Sequence, residues 1–190
     1  VIIEQWKLFL IVACTSLTST GKQELPPLPG SSAMTHQRKV SNNRAPLYSI
    51  NSAKSLFNLV IPLLSTEQPL ITDAIHSGLS CININIFKAL VEVIQPIRSN
   101  WETEIRAGSV NEANMRIRIE VTRILHATSK YLSEEQIYSD KRLLKEMIAY
   151  VKTVRLFLGA SKVQESFEYQ KLRRYFCGLL ENVFTGVQKT

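Results

Sequence analysis

The chain has 190 residues, of which 45% are hydrophobic and 21% charged, with 7 Gly and 7 Pro. This is ordinary globular composition and enough chain for one domain with a sizeable core. Net charge is +7, split as 7 Lys/Arg against 5 Asp/Glu in residues 1–95 (+2) and 16 against 11 in residues 96–190 (+5). A basic bias of this size suits an acidic protein partner, a membrane surface or nucleic acid, and selects none of them.

The chain begins at Val1 rather than Met, which reads as a fragment or a processed chain. Residues 2–14 form a first helix that is apolar on nearly every face, and such a helix needs cover on all sides. Its missing neighbours are expected upstream in a longer parent. Residues 8–14 read LFLIVAC, an apolar run of signal-peptide length, and support the alternative of a secreted or lipid-anchored helical binding protein. Against that, Glu4 and Lys7 cancel just before the run, and the run is too short to span a bilayer. Residues 16–46 then change character, with LPPLPGSS, many Ser, Thr and Asn, and a basic cluster. Residues 18–46 are therefore predicted to be a disordered insertion between the first helix (1–17) and a helical-repeat region (47–190).

Order resumes near Tyr48. Asn51 or Ser52 caps a helix with the stripe Leu56, Leu59, Val60, Leu63 and Leu64, kinked at Pro62. Ser65 or Thr66 caps the next, with Pro69 in its first turn and Gly78 marking its end. Asn83 or Asn85 caps a third, bent at Pro96 and stopped by Gly108. Asn111 begins an amphipathic helix whose apolar face is Ile117, Val121, Ile124, Leu125, Thr128 and Leu132. Asp140 starts another that Gly159 closes, and Ser161 to Gln164 has the form of a capping box. The last helix carries Phe167, Leu172, Tyr175, Phe176, Leu179, Leu180, Val183 and Phe184. Every Val/Ile run lies on a helical stripe, so no strand is expected. Pairs recur about every 40 residues, the period of an all-α fold of antiparallel helix pairs stacked as a HEAT or armadillo-like α-solenoid; no exact repeat is visible, and a compact helical bundle is the alternative.

Residues with chemical potential are sparse. Cys14, Cys81 and Cys177 lie far apart among apolar residues and read as buried reduced thiols; His36, His76 and His126 are scattered, so neither a zinc site nor any cofactor is expected. Glu102/Glu104 and Glu134/Glu135 read as solvated surface. With no nucleophile elbow, Walker loop or dinucleotide motif, the chain is not read as an enzyme. Arg116, Arg123 and Lys130 repeat every seven residues and line up opposite the apolar stripe, as a solvated face or a strip facing an acidic partner. Lys171, Arg173 and Arg174 form a second small cluster. No aromatics interleave with these cations, which argues against nucleic acid. The sharpest short motif is His36-Gln37-Arg38-Lys39-Val40-Ser41. Its His and two cations fit acidic pockets on a kinase, with Ser41 delivered as phospho-acceptor.

Three stretches, EQWKLFLIVACTSLTSTG, LFNLVIPLLSTEQPLITDAIHSGLSCININIFKALVE and QKLRRYFCGLLENVFTGV, resemble the central region of the Furry-type cell-morphogenesis scaffolds. The resemblance covers most of the chain outside residues 18–46. It implies a large helical-repeat scaffold without enzymatic activity. It also implies association with NDR-type kinases and their Mob coactivators in polarised growth, in the cytoplasm at the cell cortex. NDR-type kinases favour the His-x-basic-basic-x-Ser form, which His36, Arg38, Lys39 and Ser41 match. A second reading makes the segment a regulatory kinase substrate, with the loop around Ser41 as its functional part.

Overall fold

Polar side chains at helix starts set the frame. In a computed structural model, which describes residues 1–17 and 52–190, α1 (Ile2–Ser16) comes first and Ser52 then opens α2 (Ala53–Val60) by accepting the Ser55 N–H at 3.2 Å. A 3-10 segment, Ile61–Ser65, follows directly, and α3 (Pro69–Leu79) comes next. Asn83 caps the short turn Ile84–Ile86 that feeds α4 (Phe87–Arg106). Asn111 caps the turn Glu112–Asn114 that feeds α5 (Met115–Thr128). A 3-10 segment, Ser129–Ser133, and α6 (Glu135–Tyr138) lead to Asp140. Asp140 accepts the Arg142 and Leu143 N–H groups at 3.0 and 3.1 Å and starts α7 (Lys141–Leu158). The single turn α8 (Ser161–Gln164) and the long α9 (Gln170–Gln188) complete the order. Among the described residues there is no strand.

At Pro62, where the sequence predicts a kink, the chain leaves α geometry after Val60 and tightens into 3-10 geometry. Local expectations need correction at four places. Neither Ser65 nor Thr66 caps α3: Gln68 is the cap residue, because a residue before proline is pushed into extended backbone and the helix starts at Pro69 itself. Gly78 does not end α3. It lies buried inside the helix, and a Cβ there would collide with the Leu10 side chain, so its bareness is what lets α1 dock. Ser161 to Gln164 forms no capping box: Ala160 is the cap residue, and the Gln164 amide donates to the Gly159 carbonyl at 3.2 Å. Phe167 precedes α9 and is exposed, as are Leu180 and Phe184. The α4 helix runs through Pro96, which lies on its exposed side where the freed carbonyl meets water. Gly108, with φ of 66°, terminates it in the left-handed region that favours glycine.

The helices pack in two rows. One row runs α1 on α3, α3 on α5, α5 on α9; the other runs α2 on α4, α4 on α7. The rows meet where α5 touches the 61–65 segment and α4, and where α7 touches α9. Aromatic contacts run through the second row and on to the turn before α9: Trp101 of α4 to Phe157 of α7 at 5.2 Å and Phe157 to Tyr169 at 5.1 Å between centroids. Glycines again permit close approach, since a Cβ on Gly178 would enter the His126 ring and one on Gly186 would press on the Leu132 carbonyl.

The core holds a charge. Arg118 is 1% exposed. Its guanidinium donates to Glu104 at 2.7 Å and to the Asn111 carbonyl at 3.4 Å, and lies 5.4 Å from the Trp101 ring centroid. Glu104 also accepts the Asn111 N–H at 2.7 Å. Burial opposes its ionised form, but the bonds from Arg118 and Asn111 outweigh that and hold the carboxyl below the usual carboxylate range. The expectation that Glu102 and Glu104 are solvated surface is thus corrected. Glu104 anchors the α4–α5 connection, and Glu102 pairs with Arg98 and Arg106. The cysteines need a similar correction. Cys14 is buried, and burial pushes its thiol up to about 12, whereas Cys81 and Cys177 are exposed.

Breaking a buried pair by removing one partner typically costs about 3–5 kcal/mol. Glu104 retains some water access, so Arg118→Met is expected to cost about 3 kcal/mol, near the lower end. Adding Glu104→Gln removes the stranded carboxylate and is expected to restore about 1 kcal/mol. Urea midpoints of the two variants check both figures.

Candidate functional site

The surface feature best placed to meet a partner is a groove of about 690 Å³ beside α3, α5 and the start of α9. Two of the three residues of the heptad strip line it. Arg116 reaches the Thr66 carbonyl at 3.3 Å and Glu67 at 3.4 Å. Arg123 reaches Asp73 and Glu120, each at 3.3 Å. Lys130 is elsewhere, its ammonium 5.3 Å from the Tyr131 ring centroid at the 129–133 turn. The strip therefore does not form one continuous face. The physical reason is that α5 is covered from several sides, by α3, α9, α4 and the 61–65 segment, and keeps no free face of that length.

Charge in the groove is mixed. Arg116, Arg123 and Lys171 stand against five carboxylates, among them Glu112 and Glu168. Burial works against the Arg123 cation, but Glu120, Tyr175 and Asp73 outweigh it and hold the guanidinium charged. Of the second basic cluster, Lys171 lines the groove. Arg173 donates to the Ser166, Val163 and Gln164 carbonyls and so ties the end of α8 to α9.

Behind the groove lies a histidine that the sequence did not single out. Burial first, then the Arg123 charge, push His76 down to about 4, with Asp73 opposing. Its Nε2 is 3.3 Å from Ser80 Oγ. A hydroxyl beside an imidazole has the atoms of a nucleophile and its base, yet a base this weak does not take a serine proton at neutral pH. The neutral ring instead fits packing between α3 and its neighbours. Among the described residues no three His, Cys, Asp or Glu side chains converge as metal ligands. No single helix there is long and apolar enough to cross a membrane. One bent pair, α3 with the segment from Ile84 to Arg106, meets at 107°, and its Ile75, Leu79, Leu90 and Ile94 are in the protein core. LFLIVAC lies within α1, where Leu10 packs at Gly78 and the Asn83 N–H bonds the Cys14 carbonyl at 3.0 Å. His36, Arg38, Lys39 and Ser41 lie outside the described residues, as does the whole 18–46 segment.

The buried imidazole makes acid lability predictable. A histidine whose folded pKa is about 4, against an ordinary 6.5, is neutral in both states at higher pH. As pH falls from 6.5 toward 4, the unfolded state takes the proton first, so stability is lost in that window. The lowered carboxyls of Glu104 and Asp140 lose their contribution only further into acid. His76→Gln is expected to flatten the decline between pH 6.5 and 4 and leave the more acidic limb, which thermal melts across that range check.

No protein-family model matches the chain, and no solved structure matches it. It is 42% identical over 190 residues to the Cell morphogenesis protein PAG1 of Saccharomyces cerevisiae, covering 99% of this chain and 8% of that protein. It is 33% identical over 192 residues to the Cell polarity protein mor2 of Schizosaccharomyces pombe, covering 94% of this chain and 9% of that protein. The chain thus spans less than a tenth of the length of these relatives. Matched along nearly all its own length, it belongs to the Furry-type cell-morphogenesis proteins and corresponds to a fragment of them.

Proposed function

We propose that the chain is a non-catalytic scaffold segment whose two helix rows are part of an α-solenoid. In this reading the full-length protein supports NDR-type kinase signalling, together with a Mob coactivator, at cortical sites of polarised growth. The observation that carries it is the 42% identity across 99% of the chain to a protein named for cell morphogenesis. The residue chemistry supports it: the buried polar groups Arg118, Thr122 and Tyr150 bond to neighbouring helices or to their own, which is positioning chemistry. The groove at Arg116 and Arg123 is the partner-facing surface, with Lys130 as a separate outlying contact.

The direct test is co-purification of kinase and Mob coactivator with the full-length protein, before and after Arg116→Gln with Arg123→Gln. Exposed pairs contribute about 0–1 kcal/mol, so the fold is expected to survive the double change. Reduced recovery of kinase or coactivator is the expected outcome. Unchanged recovery removes the groove from the reading, and no recovery with the parent protein removes the kinase partnership.

The second reading, a regulatory substrate segment, rests on the motif from His36 to Ser41. Phosphate on Ser41 adds about −1.5 to −2 charge beside Arg38, Lys39 and Arg44 and brings that basic stretch close to neutral. An NDR-type kinase is expected to phosphorylate Ser41. Each charge-assisted contact removed costs about 1.5–3 kcal/mol, so His36→Ala or Arg38→Ala is expected to lower the rate by about tenfold or more. Mass-spectrometric site mapping after an in vitro kinase reaction checks this, and equal labelling of both variants would sink it.

A further inference from the structure

Exposed large hydrophobic side chains are not scattered over this protein. Of thirteen among the described residues, nine lie in α1, α2, α7 and α9, the helices that end the two rows, and the inner helices α4 and α5 carry none. A partner bound along the flank would leave a patch running over the inner helices as well. Among the inner helices only α3 carries one, Leu70, and exposure concentrated at the ends is the pattern of an internal piece of a stack, in which each unit contacts only its neighbours.

The clearest case is α9. Leu172, Leu179 and Val183 are buried on its inner face, while Gly178 and Gly186 allow close approach to His126 and Leu132. Beside that face, about a quarter-turn round the helix at roughly 100° per residue, Cys177, Leu180, Phe184 and Val187 recur at spacings of three, four and three residues and so share a second face. All four are exposed, with Phe184 at 60%. The side of α9 opposite its buried stripe is polar, with Arg174, Glu181 and Gln188 exposed, so the apolar residues form a wide band of which only one half is covered within this segment. α1 repeats the pattern at the other end of the same row, with Ile2, Phe9 and Val12 outward and Leu10 and Cys14 inward against α3.

We infer that the Cys177–Leu180–Phe184–Val187 face is an internal joint, covered by a helix of the same protein that extends the row α1, α3, α5, α9. This rests on the stacked-row reading above. The length of the relatives supports the choice of occupant, since they carry more than ten times the matched length. A second copy stacking head to tail would use the same face but leave the contact open-ended, a route to filaments rather than a closed assembly.

Two exposed thiols make the joint testable in the purified full-length protein. Cys177 sits in the proposed joint and Cys81 in the turn after α3, which is not part of that face. Each is labelled with a maleimide, and its native rate is compared with its rate in denaturant by mass spectrometry. The expected result is Cys177 protected by about tenfold or more, because reaction there waits on local opening, with that protection unchanged on dilution. Rapid labelling of native Cys177 at a rate close to its denatured one would overturn the joint. Protection that disappears on dilution would also overturn it, by assigning the face to a second copy. Amide exchange on the same sample separates this from failure of the stacked-row reading. Slow exchange in α4 and α5 with a reactive Cys177 removes only the joint, and fast exchange in α4 and α5 removes both.

Discussion

The ion pair between Arg118 and Glu104 is the constraint around which the rest of the segment is arranged. A guanidinium almost without water access is tolerable only with a fixed counter-charge, and Glu104 supplies it at 2.7 Å. The same carboxylate holds the Asn111 N–H, so the connection from α4 to α5 closes in one register. Met115 Sδ lies 3.8 Å from the guanidinium, and the Trp101 ring faces the cation at 5.4 Å. Because α5 touches α3, α9, α4 and the 61–65 segment, fixing its register fixes where both rows meet.

Close backbone approach sets the spacing along those rows. Gly78 admits Leu10 of α1, while Gly178 and Gly186 admit His126 and Leu132 to α9. A side chain at any of these positions would push two helices apart. Polar bonds then lock the depth of docking. Tyr131 donates to the Ile82 carbonyl at 2.7 Å, and the Asn182 amide donates to Ser129 Oγ at 2.8 Å. The segment thus combines tight glycine-permitted contacts between its helices with exposed apolar side chains on α1 and α9.

Much of the architecture was legible in the sequence, because caps and stripes are local. Ser52, Asn83, Asn111 and Asp140 start ordered elements where their oxygens meet a backbone N–H two or three residues on. What was not legible depends on distant neighbours. Gly78 has the local signature of a helix end, and only Leu10, far off in the chain, explains it. Cys81 and Cys177 sit among apolar residues yet point outward, since apolar neighbours in sequence do not specify a face. Arg118 was the chief omission. It lies three residues before Val121 and seven before Leu125, on the buried stripe itself, so an arginine there called for a carboxylate partner. The heptad of Arg116, Arg123 and Lys130 is the more conspicuous pattern in the sequence. Its regular spacing assumed an open helix face, which a helix packed on several sides does not have.

In the proposed function the inner helices hold shape, the groove beside α5 offers charge, and the end faces carry the row onward. The central claim is that the helices form an open stack of two rows and not a closed bundle. A cryo-EM map of the full-length protein tests it most directly. The account predicts α3 between α1 and α5, α4 between α2 and α7, and further helices beyond α1 and α9. A map in which α9 folds back onto α1, closing the row on itself, would contradict it.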